Sequence, residues 1–219
     1  MTGDIYHVIN RGVGKGRIFT EDKDSLRFVS DLYRFNNKGY PLSMRGKSES
    51  FLFDPPKQNK IVEIFKWALM PNHYHLLLME VVDGGAIEFI KRLGNGYTKY
   101  FNIKYKRSGY LFQNAAKIIR TEDLPHFLYL PFYVDSNPIK LLEPKWKESG
   151  IKNIDAAVAF LVSYDLSSYK DYKNINNFPF IINKELFYET FDTNSDRYEK
   201  EFKEWLKSYV QPATSDLPR

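Results

Sequence analysis

Leu69-Met70-Pro71-Asn72-His73-Tyr74-His75-Leu76-Leu77-Leu78-Met79 places two of the chain's four histidines two residues apart inside an apolar run. A short apolar segment entered through a Pro-Asn turn reads as a buried strand. Side chains two apart on a strand share a face and are separated by a rise of roughly 6 to 7 Å. Two imidazoles placed that way can converge on one cation. The same spacing also describes two hydrogen-bonded core histidines, and two imidazoles do not complete a metal site, so a third ligand has to come from elsewhere. The preceding Ile61-Val62-Glu63-Ile64-Phe65-Lys66-Trp67-Ala68-Leu69 reads as the partner strand, which makes His73 the start of the second arm of a hairpin in mid-sheet.

Composition narrows the chemistry. At 219 residues the chain is long enough for one sizeable domain with an appendage. It has no cysteine, so a metal must be held by His, Asn, Gln, Asp or Glu, and the nucleophile is not a thiol. No apolar run approaches the length of a membrane span, and Met1-Thr2-Gly3-Asp4 has no signal-peptide pattern, which predicts a soluble, unexported protein. A net charge of +5 and a pI near 9.1 favour a polyanionic partner.

Read in order, Ile5–Asn10 predicts a first strand, running into the Gly-rich basic loop Arg11-Gly12-Val13-Gly14-Lys15-Gly16-Arg17. Arg11, Lys15 and Arg17, with backbone N–H groups freed by glycine, suit phosphate contacts; a plain flexible turn is the competing reading. Apolar spacing predicts a helix over 21–35, and residues 37–60, rich in Gly and Pro, read as a loop insertion. After the hairpin, a second helix is predicted from Ala86 to about Lys104. Lys91, Arg92, Lys99, Lys104, Lys106 and Arg107 there alternate with aromatic residues, a pattern that fits a single-stranded nucleic acid and also an ordinary amphipathic face. A fourth strand is expected from Tyr110-Leu111-Phe112-Gln113 into Ala116–Ile119, then a helix from Leu124 to Asn137, with Pro131 predicting a kink or a later start. Strand, helix, strand, strand, helix, strand is the order of an α+β, ferredoxin-like split βαβ sandwich, an antiparallel sheet with helices on one face. The expected organisation is a 1–142 core, a helical C-terminal extension over 143–210 and a disordered tail over 211–219.

Tyr133 and Asn137 are four apart and share one face of their helix. Packed on the sheet face that carries His73 and His75, Asn137 can offer an amide oxygen as third ligand. Two imidazole nitrogens, one amide oxygen and open positions suit Mg²⁺ or Mn²⁺ that also binds a phosphodiester oxygen. A phenol held beside such a phosphate is a candidate nucleophile. Tyr129, one turn earlier, is the alternative nucleophile. A water-using phosphodiesterase and a non-catalytic hairpin-binding module are the alternative functions.

Four ordered segments carry a resemblance: Tyr6-His7-Val8-Ile9-Asn10-Arg11-Gly12, Met70-Pro71-Asn72-His73-Tyr74-His75-Leu76-Leu77, Gly109-Tyr110-Leu111-Phe112-Gln113 and Tyr133-Val134-Asp135-Ser136-Asn137-Pro138-Ile139. Together they resemble the successive signatures of the IS200-like Y1 transposases of the HUH superfamily, nearest the REP-associated tyrosine transposases. Tyr164–Tyr172 is similar to that group's Tyr-Pro-Trp-Ser-Ser-Tyr element. The resemblance implies a DNA nuclease and strand transferase acting on single-stranded DNA with a hairpin, in the cytoplasm and nucleoid-associated. It makes Tyr133 the nucleophile and His73, His75 and Asn137 the ligands of the divalent ion. It also favours a monomer, with a dimer as the alternative. The chain departs from the group in having Phe132 where an arginine is common, in lacking a basic, Gly-containing ending after Pro138, and in the 37–60 insertion.

Overall fold

The computed structural model describes residues 2–39, 58–121 and 123–209. Strands β1 (Ile5–Arg11), β2 (Val62–Met70), β3 (His73–Glu80) and β4 (Lys117–Arg120) form one antiparallel sheet in the order β2-β3-β1-β4. Helices α1 (Asp22–Arg34) and α2 (Gly85–Lys104) connect them in the split βαβ pattern. Cross-strand partners share a face, so Tyr74 lies with Asn10 on one side, while His75 lies with Ile9 and His73 with Arg11 on the other. The Tyr74 face is covered by α1 and α2: Phe28 of α1 packs 4.8 Å from Tyr74 and 5.0 Å from Tyr97 of α2. Gly94 and Gly96 do not break α2, and Gly96 permits a close approach, because a Cβ there would meet the Phe35 ring at 2.2 Å.

The opposite face is covered as well, by α3 (Leu124–Ser136), since β1 and β3 present buried residues to it. Pro131 sits inside α3, yet the helix starts at Leu124 and continues past it. A β-bulge between Ile64 and Lys66 shifts the alternation of β2, bringing Lys66, Ala68 and Met70 onto the same face as His73 and His75. Lys66, fully buried, meets the carboxylate of Asp135 on α3 at 2.8 Å. Its ammonium also lies over the rings of Tyr172, 3.2 Å from the centroid, and of Tyr198, at 4.1 Å, and the Tyr198 hydroxyl donates to Asp135 Oδ2 at 2.7 Å.

The C-terminal extension is helical, as expected, and it is packed on the core rather than strung from it. After the short α4 (Ile139–Leu142) at the end of the core, it comprises α5 (Trp146–Ser149), α6 (Ile154–Ser163), α7 (Tyr169–Tyr172), α8 (Lys184–Thr190) and α9 (Ser195–Ser208). Residues 164–172, the stretch that resembles the Tyr-Pro-Trp-Ser-Ser-Tyr element, cover the open edge of β2. Leu69 N–H donates to Leu166 O at 2.8 Å, Ser168 N–H to Trp67 O at 2.9 Å, and the Tyr172 hydroxyl to the bulge carbonyl of Phe65 at 2.7 Å. Ile139, Trp146, Val158, Leu161, Phe202 and Leu206 form a second small core in the extension.

Two expectations are corrected. The fourth strand is only Lys117–Arg120; residues 110–113 contribute a single bridge, Phe112 to Gly12, because Tyr110 stands out of the fold at 87% exposure. Helices cover both faces of the sheet and not one, because α3 packs on the side opposite α1 and α2; within the extension the one-turn helix α5 carries buried Trp146. Most of the predicted 37–60 insertion, and the 211–219 tail, lie outside the described residues. Among the described residues no helix is long and apolar enough to cross a membrane.

Removing one partner of a buried ion pair leaves an uncompensated charge, at a cost of about 3–5 kcal/mol. Asp135→Asn and Lys66→Met should each lower unfolding free energy in urea by about that amount, and the double substitution by less than the sum of the two.

Candidate active site

Strand alternation and the α3 packing bring the predicted side chains to one place. His73 and His75 share the α3-facing side of β3, their rings 5.2 Å apart. Tyr133 presents its ring edge-on to His75 at 5.5 Å and to His7 of β1 at 5.6 Å. Asn137 is buried one turn beyond Tyr133, and its Nδ2 donates to the Tyr133 carbonyl at 2.7 Å. Tyr129 stacks on Tyr133 at 5.4 Å and meets Trp205 edge-on at 5.5 Å, and among the described residues it has no ring contact with the imidazoles.

Two side chains outside the predicted set fix the imidazoles. Asn72 Nδ2 donates to Lys15 O at 3.0 Å, which turns its Oδ1 toward His73 Nδ1 at 2.7 Å. His73 is therefore the Nδ1–H tautomer, with its Nε2 lone pair bare. His75 Nδ1 lies 3.0 Å from His7 Nε2, so one proton is shared there and His75 Nε2 stays out of that bond. His7 Nδ1 is buried without a partner among the described residues. An imidazole anchored through one nitrogen and free at the other is the usual state of a metal-binding histidine.

Burial, and then neighbouring positive charge, keeps these rings neutral. His73 is pulled down to about 3 by desolvation, then by Arg11, Lys140 and Lys147. His7 is pulled down to about 3 by desolvation, then by His126 and Lys147, and His75 is also held well below its ordinary value by burial first. The Tyr133 phenol is pushed up to about 12, by burial and then Tyr209, against smaller opposing effects of Arg11 and Asn137. At neutral pH the centre thus holds neutral imidazoles and a protonated phenol. Among the described residues no three His, Cys, Asp or Glu side chains are placed to hold a metal ion together, so a cation bound here would have two imidazoles and oxygen ligands such as Asn137 Oδ1. That donor set fits a divalent ion with open positions.

The basic residues sort by environment. Arg11 pairs across the strands with His73 and is half-buried at the site, its Nε buried and unpartnered among the described residues. Lys15 and Arg17 are exposed on the Gly-rich loop, whose Val13–Lys15 forms a single 3₁₀ turn. Lys91 and Lys99 line a groove of about 770 Å³ between α2 and residues 110–116, which continues past Asn10 and Gln113 into a smaller one at Arg11. Lys106 is exposed, and Arg107 donates to Tyr110 O at 3.2 Å. Two others are engaged inside the fold: Arg92 with Glu88 at 2.7 Å and Asn37 O at 2.7 Å, and Lys104 with Asp24 at 2.6 Å and Glu21 at 3.2 Å.

His7, Asn72 and Lys147 were not singled out as site residues from sequence. His7 and Asn72 carried a signal, each lying in a quoted motif beside a site residue. Lys147 carried none, being one lysine in an apparent linker.

No protein-family model matches the chain, and no curated protein does. A solved structure of a REP-associated tyrosine transposase bound to a REP hairpin is similar at 13% identity and a TM-score of 0.42, over 81% of this chain and 82% of that one.

Lys104 gives a stability prediction. Burial raises the Asp24 carboxyl, but hydrogen bonds from Lys104, Tyr105 and the Thr20 and Glu21 amides outweigh it and bring it down to about 2. A depressed carboxyl stabilises the fold above its unfolded value, and that contribution is lost as pH falls through the folded one. Lys104→Met should lower the melting temperature at pH 7 and start acid unfolding at a higher pH, as followed by circular dichroism.

Proposed function

We propose that the chain is a single-strand DNA nuclease and strand transferase that works through a covalent phosphotyrosine. The observation that carries this is the convergence of the Tyr133 phenol with the paired His75 and His7 imidazoles, beside His73 and on the same helix face as Asn137. The four ordered motifs that resemble the Y1 transposases supply the reaction class.

In this reading Tyr133 Oη attacks a backbone phosphorus, the bond from phosphorus to the 3′ oxygen breaks, and the phenol proton passes to the departing oxygen. The products are a 5′-phosphotyrosine and a free 3′-OH, and the reverse attack by a 3′-OH reseals a strand without external energy. A divalent cation, Mg²⁺ or Mn²⁺, held by His73 Nε2, His75 Nε2 and Asn137 Oδ1, would polarise the scissile phosphate. Asn72 and His7 orient the two rings, and α3 holds Tyr133 in line, so catalysis rests on positioning and charge neutralisation. The groove past Lys91, Lys99 and Arg11 would carry the single strand toward Tyr133, with a hairpin flanking it. Nucleophile and imidazoles come from one chain, which suits a monomer.

The test is a denaturing gel with a hairpin-flanked single-stranded oligonucleotide and Mn²⁺. Wild type and Tyr129→Phe should form a protein–DNA adduct, and Tyr133→Phe should form none. Cleavage that leaves no adduct and survives Tyr133→Phe would assign the attack to water instead. Asn72→Ala should raise the Mn²⁺ concentration needed for half-maximal rate by about 10- to 100-fold, the usual effect of losing a group that orients a ligand.

A further inference from the structure

Lys147 is a cation without a counterion. Its ammonium lies 4.1 Å from the centroid of the Tyr133 ring and 5.4 Å from that of Trp146, and it makes no hydrogen bond or ion pair among the described residues. The nearest carboxylate acting on it, Glu148, is exposed and does so only at a distance, while Lys140 repels it. An aromatic face compensates a charge only in part. Desolvation, then Lys140, pulls the half-buried Lys147 ammonium down to about 8, the direction expected for a cation partly shielded from water and lacking a paired anion.

The position is built rather than accidental. Trp146 is buried in the second core against Trp205 and Tyr209, at 6.3 and 4.8 Å, so the backbone of α5 is anchored and the next side chain is directed at Tyr133. The charge of Lys147 is felt at His7, His73 and His75 alike, which places it on the same centre. Arg11, paired across the strands with His73, and Lys140 also bring positive charge to this centre, and Arg11 Nε is buried without a partner among the described residues.

Resting on the nuclease reading above, we infer that the C-terminal extension completes the centre: Lys147 binds a non-bridging oxygen of the phosphate that Tyr133 attacks and neutralises the charge that develops there. A preorganised donor of this kind contributes most when water is excluded from around it. Lys147 takes part in no bond making or breaking. Of the cations around the site, Lys147 is the one whose ammonium lies against the Tyr133 ring.

The experiment compares Lys147→Met and Lys147→Arg with wild type in three measurements. In single-turnover adduct formation with the hairpin-flanked oligonucleotide and Mn²⁺, Lys147→Met should be slower by about 100-fold and Lys147→Arg should recover most of the rate. In a ³¹P NMR titration with inorganic phosphate, Lys147→Met should bind at least about tenfold more weakly, the size expected for a lost charge-assisted contact. In thermal melts Lys147→Met should be as stable as wild type or more so, because it removes an uncompensated charge. Adduct formation by Lys147→Met at the wild-type rate overturns the inference and leaves the nuclease reading intact. If wild type forms no adduct, the nuclease reading fails, and phosphate binding still decides: loss in Lys147→Met with recovery in Lys147→Arg supports the anion site, and equal binding overturns it. A lower melting temperature for Lys147→Met with slow turnover that Lys147→Arg does not rescue assigns the residue to packing and also overturns the inference.

Discussion

The buried contact between Lys66 and Asp135 sets the position of everything around the candidate site. Both side chains are fully buried, and taking two charges out of water costs several kcal/mol for each ion. The cost is offset by the 2.8 Å contact, the Tyr198 hydroxyl and aromatic faces around the ammonium. The pair fixes α3 over β2 at Asp135. Tyr133, two residues earlier and so roughly 200° around the helix, then falls over β3 and β1, where the imidazoles lie. A slip of α3 by one residue would separate the phenol from the histidines.

How much of this could be read in advance follows from which physical rule governs each residue. His73 and His75 were legible because strand alternation is strict within β3, and Tyr133 and Asn137 because a separation of four is a helix face. The bulge at Phe65 was not legible, since Ile61–Leu69 is apolar on both sides of it and no turn residue marks the break. Without the bulge, Lys66 had no reason to be read as buried, because lysines are rarely inside unless paired. Its partner lies 69 positions away. Lys104 and Arg92 show the same limit in reverse: a row of cations and aromatics looks like a nucleic-acid face until the carboxylates of Asp24 and Glu88 are found against it. Tyr110 looked like strand because it is aromatic, and no neighbouring strand receives it.

The electrostatics of the centre are one-sided. His7, His73 and His75 are neutral, Tyr133 keeps its proton, and Arg11 and Lys147 stand beside them without carboxylate partners among the described residues. Proteins rarely keep such cations unbalanced where water is scarce, and the usual reason for doing so is an incoming anion. Asp135 is close by in sequence, but its charge is committed to Lys66 and Tyr198 on the other flank of α3. The helix therefore separates a paired charge cluster from one without carboxylates among the described residues.

The hydroxyl that Tyr198 donates to Asp135 has a bearing on how the chain is made. The strands bearing the histidines and the helix bearing the phenol are all synthesised before residue 140, yet the carboxylate that locks that helix in register waits for a residue on α9. This contact with the tyrosine helix is thus made by a residue synthesised 63 positions after the carboxylate that receives its hydroxyl.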